Sequence, residues 1–422
     1  MKTLQSIRGM HDILPEETSA WRWLEQQLEQ ILSAYGFDEI RLPLLERTEL
    51  FMRAIGQGTD VVEKEMYAFD DRNGESICLR PEGTAGVVRA ALQHGLLNPP
   101  GIKLWYRGPM FRYERPQKGR QRQFHQTGVE VFGLEDASAD VELLALGTRL
   151  WRGLGIDGLV ELELNTLGDR ADRLNYREAL VAFLRPHADA LDEDSRRRLE
   201  TNPLRIFDSK LATTQEILRD APRLIDLIGD EARAHFDQVC AMLDQLGIRY
   251  RLNPGLVRGL DYYCRTVFEW TTDALGAQGT ICAGGRYDEL VEIQGGRPTP
   301  GIGFAMGMER LLELLSRERD CFSAEPHAYL LGDDAAERLV LAERLRDDWQ
   351  GLRVLTDLQG GSFKAQFKRA DRSGAALALV LGEDEIREKR VTVKFLKQGR
   401  EQQSVPRDRL LAWLRDIFDA SA

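Results

Sequence analysis

The stretch FRYERPQKGRQRQFHQTGVEVFG, residues 111–133, carries four arginines and one lysine between two runs that favour β-structure. Residues 104–113 and 124–132 are rich in aromatic and β-branched side chains, whereas residues 115–122 are polar and include a proline and a glycine. This pattern is typical of two antiparallel strands joined by a loop. The stretch therefore predicts a β-hairpin with a basic tip.

The second strand of this hairpin has one face of mixed chemistry. Successive strand residues point to opposite faces. The side chains on one face are those of Phe124, Gln126, Gly128, Glu130 and Phe132. If Arg112 pairs opposite Gln126, then Arg112 and Glu114 point to that face as well. A solvated hairpin with a charged tip is the alternative, but phenylalanine is uncommon on a solvated face.

Length and charge limit the class of protein. A chain of 422 residues is longer than one typical domain and predicts two or three. The net charge is −11, so any contact with nucleic acid must use a local basic patch rather than overall charge.

Cysteine usage and hydropathy indicate a cytoplasmic protein. The five cysteines are scattered without a CxxC pair, and the six histidines are equally dispersed. This indicates reduced thiols, with neither a disulfide framework nor a protein metal cluster. The first seventeen residues contain no apolar signal-peptide core, and no apolar run approaches the roughly twenty residues of a membrane span. We therefore expect no membrane partner.

Helical and strand-like patterns predict a first domain over residues 1–320. Residues 18–35 place apolar side chains on one helical stripe, and a strand in FDEIRLPLL follows, ending near Pro43. Residues 170–248 have helical spacing and separate two glycine-rich, β-rich regions, so we interpret them as an insertion. The other expected elements are strands at 249–252 and 266–270 and a strand turning into a helix at 301–315.

Residues 326–422 are predicted to form a second domain, after a polar linker at 317–326. The expected elements are a strand in AYLL, a helix at 335–350, a strand in RVLTDL, a helix near 362–372, a strand in ALALVLG, a hairpin-like IREKRVTVKFLK and a helix at 407–418. This alternation predicts a compact α/β domain. Within 353–400 there are 11 basic and 6 acidic residues, an excess compatible with a solvated face or with phosphate-backbone contact.

Familiar nucleotide-binding and hydrolase motifs are missing from the sequence. It contains no GxxxxGK[ST], GxSxG or HExxH, and GIGFAMG only approximates a dinucleotide fingerprint. Three arginines instead lie beside aromatic residues and glycines: Arg112 in FRYE, Arg258 in RGLDYY and Arg310 in GMER. Planar guanidinium groups bind phosphate oxygens bidentately, so these arginines indicate a triphosphate site if they converge. Taken singly, each is better explained as a structural ion-pair arginine.

These motifs resemble those of the bacterial-type histidyl-tRNA synthetases, a family of class II aminoacyl-tRNA synthetases, over essentially the full length. YGFDEIRLPLLERTELF, the stretch 111–133 and GIGFAMGMERLLELL resemble the three class II motifs. RGLDYYCRTVFEW (258–270) and AGGRYDELV (283–291) are similar to the two signatures of the histidine enzyme, and RGMHDILPEE and LRPEGTA also fit this family.

The resemblance implies a role for each matching residue. Arg112 and Arg258 would be catalytic. The ATP-binding residues would be Arg112, Glu114, Phe124 and Arg310, with Phe124 stacking on adenine. The histidine-binding residues would be Glu82, Gly83, Thr84, Arg112, Gln126, Glu130, Arg258, Tyr262, Tyr263 and Tyr287. Glu130 would accept the imidazole N–H. Ordinary core packing is the alternative for Tyr262 and Tyr263.

The resemblance also implies an α+β fold and a reaction. The class II catalytic core, residues 1–320, would contain a six- or seven-stranded antiparallel sheet and the helical insertion 170–248. Residues 326–422 would be an α/β anticodon-binding domain. The enzyme would be a homodimer that uses ATP with Mg²⁺ to join L-histidine to tRNA(His), with no metal held by the protein alone.

Three alternatives remain open at this point. A synthetase-like regulatory subunit of ATP phosphoribosyltransferase would generally lack the anticodon domain and an intact RGLDYY. A proline or threonine synthetase is opposed by the two histidine-type signatures. A non-enzymatic tRNA-binding module remains because fold alone does not fix function.

Overall fold

The computed structural model describes residues 3–419 except 57, 58, 60, 202, 210, 258, 259, 319–325 and 398. The chain divides into two compact units, Met1–Cys321 and Phe322–Ala422. None of the helices in the described part of the chain is long and apolar enough to cross a membrane.

The first unit combines eleven described strands with ten α-helices. The strands are Asp38–Glu39 (β1), Leu45–Arg47 (β2), Tyr67–Asp70 (β3), Ser76–Leu79 (β4), Ile102–Phe111 (β5), Gln123–Phe132 (β6), Glu161–Thr166 (β7), Arg251–Leu252 (β8), Cys264–Thr271 (β9), Thr280–Arg286 (β10) and Gly301–Gly307 (β11). The helices are Thr18–Ala34 (α1), Thr48–Ile55 (α2), Thr84–Gln93 (α3), Ala137–Leu154 (α4), Arg170–Leu184 (α5), Glu193–Thr201 (α6), Ala212–Leu218 (α7), Asp230–Gln245 (α8), Leu290–Ile293 (α9) and Met308–Glu318 (α10).

Eight of these strands form the central sheet, in the order β1-β5-β6-β11-β10-β9-β7-β8. The prediction of six or seven antiparallel strands is therefore wrong: the sheet has eight strands, and the strand at each edge is not antiparallel to its neighbour. The short end strands β1 and β8 pair in parallel with β5 and β7, whereas all the inner pairs are antiparallel. Both end strands contain only two residues, which is too short for a sequence pattern to reveal their direction.

The predicted hairpin is formed by β5 and β6, but its register differs from the expected one. Gln126 lies opposite Gly108, and the Arg112 N–H instead donates to the Arg122 carbonyl at 2.9 Å. The predicted Arg112–Gln126 pair is therefore wrong, because β5 ends at Phe111 and the connecting loop is shorter than assumed. The register is shifted by an even number of residues, so Arg112 still points to the face that was predicted for it.

The first helix lies where the sequence predicts it, and residues 170–248 have the expected helical structure. Leu24, Leu28 and Leu32 of α1 are fully buried, and α1 packs against α4 and α10. The strand predicted in FDEIRLPLL is reduced to the two residues of β1, and its proline lies beyond the paired segment. Residues 170–248 contain α5 to α8 and three short 3-10 turns, without a strand among the described residues.

The second unit contains a five-stranded sheet with helices. Its strands are Ala328–Gly332 (β12), Val354–Thr356 (β13), Leu377–Leu381 (β14), Arg390–Phe395 (β15) and Gln403–Pro406 (β16); its helices are Ala335–Asp348 (α11), Phe363–Arg372 (α12), Glu383–Arg387 (α13) and Leu410–Asp419 (α14). The sheet order is β13-β12-β14-β15-β16. The hairpin expected in IREKRVTVKFLK is wrong: this segment begins in α13 and contributes only β15, whose hairpin partner is β16.

Candidate active site

A cleft of about 910 Å³ opens on the first unit and collects most of the predicted site residues. Those that line it are Glu82, Thr84, Arg112, Glu114, Phe124, Gln126, Tyr262, Tyr263 and Arg310. Gly83, Glu130 and Tyr287 are buried next to the lining residues rather than part of the lining. Arg258 lies outside the described residues.

Arg112 lies where the hairpin loop begins. Its Nε donates to the Pro81 carbonyl at 2.9 Å, and its guanidinium carbon lies 5.2 Å from the centre of the Phe124 ring. Among the described residues, the Nη atoms of Arg112 have no hydrogen-bond or ion-pair partner. The side chain is thus fixed by one backbone contact and one ring, while two of its nitrogens remain available for an anion.

Arg310 joins the same cleft from the start of α10. Its Nη1 donates to the Thr280 carbonyl at 2.6 Å and its Nε to the Gly119 carbonyl at 3.2 Å. Burial, followed by repulsion from Arg120, lowers the pKa of Arg310 below its ordinary value. Glu114 is paired with Arg120 at 3.0 Å. The loop therefore brings acidic and basic groups together over one end of the cleft.

Glu130 is at the centre of a buried hydrogen-bond network at the other end. Its carboxyl accepts a hydrogen bond from the Thr84 hydroxyl at 2.7 Å and a short one from the Tyr287 hydroxyl. Glu130 is 1% exposed. Burial raises the pKa of Glu130 to about 8, against the stabilising effect of the two hydroxyls. The Tyr262 ring lies 4.6 Å from that of Tyr263 and 5.7 Å from that of Tyr287.

Glu82 holds the amino-terminal end of α3. Its carboxylate accepts the backbone N–H groups of Thr84 at 2.6 Å and Ala85 at 3.0 Å. This satisfies two of the amide groups that a helix leaves unpaired at its start. Burial raises the pKa of Glu82, while the positive charge of Arg112 opposes this shift.

Glycines make room for the buried groups of the site. Gly303 of β11 lies opposite Glu130 of β6, and a Cβ on Gly303 would overlap the Glu130 carboxylate. The Glu130 carboxylate therefore fills the space that a side chain at position 303 would need. Gly303 itself lines the cleft.

Tyr106 is a residue of the cleft that the sequence analysis missed. Its ring lies between Gly83 and Gly128, where a Cβ on either glycine would overlap it. Burial, together with the charge of Glu130, raises the pKa of Tyr106 well above its ordinary value. The sequence could have indicated Tyr106, because it lies an even number of residues from Arg112 and both side chains then point to the same face of the hairpin.

Gln126 presents an unsatisfied acceptor to the cleft. Its Oε1 is buried and has no hydrogen-bond partner among the described residues, although most buried polar atoms have one. The neighbouring His125 is instead used internally, since its backbone N–H and its Nδ1 both lie 2.9 Å from Glu309 Oε1. Gln126 itself lines the cleft, whereas its side-chain oxygen is buried without a partner among the described residues.

A buried ion pair supports Tyr287 from behind the sheet. Arg286 and Asp140 are both fully buried and form a short ion pair. Arg286 also donates to the Leu134 carbonyl at 2.9 Å, and the Arg286–Asp140 pair is completed by His235 of the insertion at 3.3 Å. These contacts fix the end of β10, from which Tyr287 reaches Glu130.

Comparisons with known proteins match the whole chain. The profile of the family described as Histidyl-tRNA synthetase matches residues 9–311, and that of the Anticodon binding domain matches residues 331–417. A histidine–tRNA ligase of Halorhodospira halophila is 56% identical over 421 residues, which are 99% of this chain and 99% of that protein.

Solved structures give the same match. The apo S. aureus histidyl-tRNA synthetase is 38% identical with a TM-score of 0.81, over 98% of this chain and 100% of that one. The structure described as an ATP phosphoribosyltransferase regulatory subunit/histidyl-tRNA synthetase from Bacillus halodurans C is 23% identical with a TM-score of 0.65, over 90% of this chain and 98% of that one. This second likeness shows the fold alone.

The antiparallel-rich sheet, its arginine-lined cleft and the anticodon-binding match define an aminoacyl-tRNA synthetase of class II. The predicted α+β class is confirmed, with the correction in strand number given above. The chain belongs to the histidyl-tRNA synthetase family. Its activity is that of this family, the ATP-dependent ligation of histidine to tRNA. The anticodon-binding match and the full-length relative argue against the regulatory-subunit alternative.

Proposed function

We propose that the cleft binds ATP at its Phe124 end and L-histidine at its Glu130 end, with Arg112 between them. The observation that carries this proposal is the position of Arg112, which is fixed by Pro81 and Phe124 while its Nη atoms form no hydrogen bond or ion pair with the described residues. Phe124 would stack on adenine, Glu114 would contact the adenine or ribose side, and Arg310 would bind near the γ-phosphate.

The first step would join the histidine carboxylate to the α-phosphorus of ATP and expel pyrophosphate. Two anions must approach each other, so the main task of the protein is electrostatic stabilisation and positioning. Arg112 would contact both the α-phosphate and the carboxylate. Arg258 would act at the same centre, by the family resemblance alone.

Magnesium would accompany ATP in this step. Mg²⁺ that accompanies a nucleotide is usually bound through phosphate oxygens, several waters and one or two carboxylates. When bound, Mg²⁺ would neutralise phosphate charge.

Histidine would be recognised through hydrogen bonds at both of its ends. Glu82, Gly83 and Thr84 would receive the α-amino group, and the imidazole would lie among Gln126, Tyr262, Tyr263 and Tyr287. Glu130 would accept its N–H. A site built on buried hydrogen bonds rejects side chains that lack the matching group.

The second step would transfer histidine to the 3′ end of tRNA(His) and release AMP. The arginines of loop 115–122 would face the acceptor end. Residues 326–422 would bind the anticodon, and the exposed side chains of Lys364, Lys368 and Arg372 support this because they share one face of α12. We place this reaction in the cytoplasm.

Deleting residues 326–422 should separate the two steps. We expect histidine-dependent ATP–pyrophosphate exchange to remain within about threefold, because the predicted histidine and ATP contacts all lie in residues 1–320. Charging of tRNA should fall by roughly 10²-fold or more, because phosphate contacts dominate nucleic-acid affinity. The measurement is kcat/KM for tRNA in both proteins, after circular dichroism shows that the truncated protein is folded. Unchanged charging by the truncated enzyme would refute the anticodon assignment.

We also propose an isologous homodimer formed through the class II motif 1 region. The motif 1 resemblance and the apolar stripe of α1 suggest that this helix contributes to the interface, but Leu24, Leu28 and Leu32 of the stripe are buried within a single chain. The support for an interface comes instead from exposed apolar residues on and beside β2 and β3, with Leu45 45% and Phe69 49% exposed.

Sedimentation tests this assembly. The full chain should sediment as a dimer at micromolar concentration, and Leu45→Arg should weaken it by at least about tenfold, because a charge would be buried at the interface. Leu174→Arg is the matched control, since Leu174 is a similarly exposed leucine (55%) on α5 of the insertion. A fully active monomer at micromolar concentration would contradict the proposal.

A further inference from the structure

The amino-terminal turn, residues 7–11, is bound to the loop between β5 and β6. The Met10 N–H donates to the Ile7 carbonyl at 2.9 Å, which closes the turn. The Gly9 carbonyl then accepts the backbone N–H groups of Arg122 at 2.7 Å and Gln123 at 3.2 Å. The turn is therefore joined to the base of the loop by main-chain hydrogen bonds.

Gly9 is required in this turn by both its conformation and its surroundings. Its φ is +85°, in the left-handed region that glycine adopts without steric cost. A Cβ at this position would lie 2.9 Å from Pro116 Cγ and 3.1 Å from Arg122 Cγ. A larger residue would therefore push the turn away from the loop or displace the loop itself.

Two side chains of α10, those of Glu313 and Arg310, contact the tip of the loop. Lys118 pairs with Glu313 of α10 at 2.8 Å, and the Lys118 side chain is 80% exposed. Arg310 donates to the Gly119 carbonyl at 3.2 Å, although the same arginine is proposed to bind near the γ-phosphate. Because an exposed ion pair contributes little, the backbone contact with Gly9 is the more permanent anchor of the loop.

The turn also reaches the mouth of the cleft. His11 lines the cleft together with Gln117, Lys118 and Arg120 of the loop, and both Arg8 and His11 are exposed. Turn and loop thus form one rim with cationic and imidazole groups. These groups suit the phosphates and unstacked bases of a single-stranded RNA end.

We propose that the amino-terminal turn positions the loop 115–122 for transfer of histidine to RNA, with Arg8 and His11 facing the RNA 3′ end. This inference rests on the proposed role of the loop in binding the acceptor end. Adenylate formation is less dependent on the turn, because Phe124 is held opposite Met110 in the β5–β6 ladder and Arg112 by Pro81.

The test compares two glycine substitutions that share the same backbone strain. Gly74 has φ +81° and no atom within 4 Å of the point that a Cβ would occupy, so Gly74→Ala controls for conformational cost. Gly9→Ala should slow single-turnover transfer from preformed histidyl-adenylate to tRNA by about 10- to 100-fold, because a small displacement of a positioning group has effects of this size. Histidine-dependent ATP–pyrophosphate exchange should stay within about threefold, and Gly74→Ala should change neither rate.

Two further variants complete the test. In Gly9→Ala/Pro116→Ala the nearest clashing atom is removed, so part of the transfer rate should return. An equal loss of exchange and transfer in Gly9→Ala would overturn the inference, because the turn would then support the whole cleft. If Arg115→Ala impairs transfer while Gly9→Ala does not, the inference fails and the role of the loop stands. If neither variant impairs transfer, the role of the loop fails too.

Discussion

Arg112→Ala should lower kcat for histidine-dependent ATP–pyrophosphate exchange by about 10²- to 10³-fold, the cost of removing one preorganised electrostatic donor. Arg112 is fixed by Pro81 and Phe124 before any substrate binds, so little reorganisation accompanies the reaction. Arg112→Lys should recover only part of the rate, because an ammonium group cannot contact phosphate and carboxylate in one plane.

Arg107→Ala is the matched control for this substitution. Arg107 lies on β5, five residues before Arg112 and therefore out of phase with it, and its guanidinium lies 3.7 Å from Glu25. Exchange should therefore remain within about twofold of the unsubstituted enzyme, because the half-buried Arg107–Glu25 pair is 3.7 Å apart and Arg107 is not among the residues that line the cleft. Similar losses in the two variants would show that Arg112 acts through strand stability rather than through the reaction.

Glu130→Ala should reduce kcat/KM for histidine by about 30- to 1000-fold, equivalent to roughly 2–4 kcal/mol. The substitution removes the proposed acceptor of the imidazole N–H and leaves the hydroxyls of Thr84 and Tyr287 without their partner. The KM for ATP should change far less, because Glu130 lies six residues along β6 from Phe124, which is about 20 Å in a strand. The measurement is exchange kinetics on a variant shown to be folded by circular dichroism.

Glu163→Ala controls for the loss of a buried carboxylate from the same sheet. Glu163 of β7 is 9% exposed and pairs with Arg251, far along the sheet order from β6. Glu163→Ala should lower the stability of the folded protein, but it should not affect the kinetics with histidine more than the kinetics with ATP. If histidine kcat/KM falls by less than threefold in Glu130→Ala, or if both substrates suffer equally, Glu130 does not read the imidazole.

The sequence was sufficient to predict the parts of the fold that have strong local periodicity. The β5–β6 hairpin, the strand-to-helix segment of β11 and α10 and the helical insertion all lie where the pattern placed them. The two edge strands and the hairpin register were not predictable, because two-residue strands carry no periodicity and pairing depends on where the loop ends.

Much of the candidate site followed from residue types and family resemblance, but its packing did not. Alternation along one strand put Gln126 and Glu130 on a common face. The position of Tyr106 between Gly83 and Gly128 depends on the docking of α3 against the sheet, which is a tertiary contact. The same holds for Gly9, whose role appears only when the distant loop residue Arg122 is brought to it.

The most direct test of these assignments is the amino-acid dependence of ATP–pyrophosphate exchange by the full chain. The proposed binding of histidine beside Arg112 and the buried Glu130 carboxyl predicts exchange that requires L-histidine and is at least about 10³-fold weaker with amino acids lacking an imidazole, since a site with buried polar groups rejects side chains that leave them unpaired. Exchange that proceeds without histidine, or equally well with phenylalanine, would contradict the assignment of the cleft.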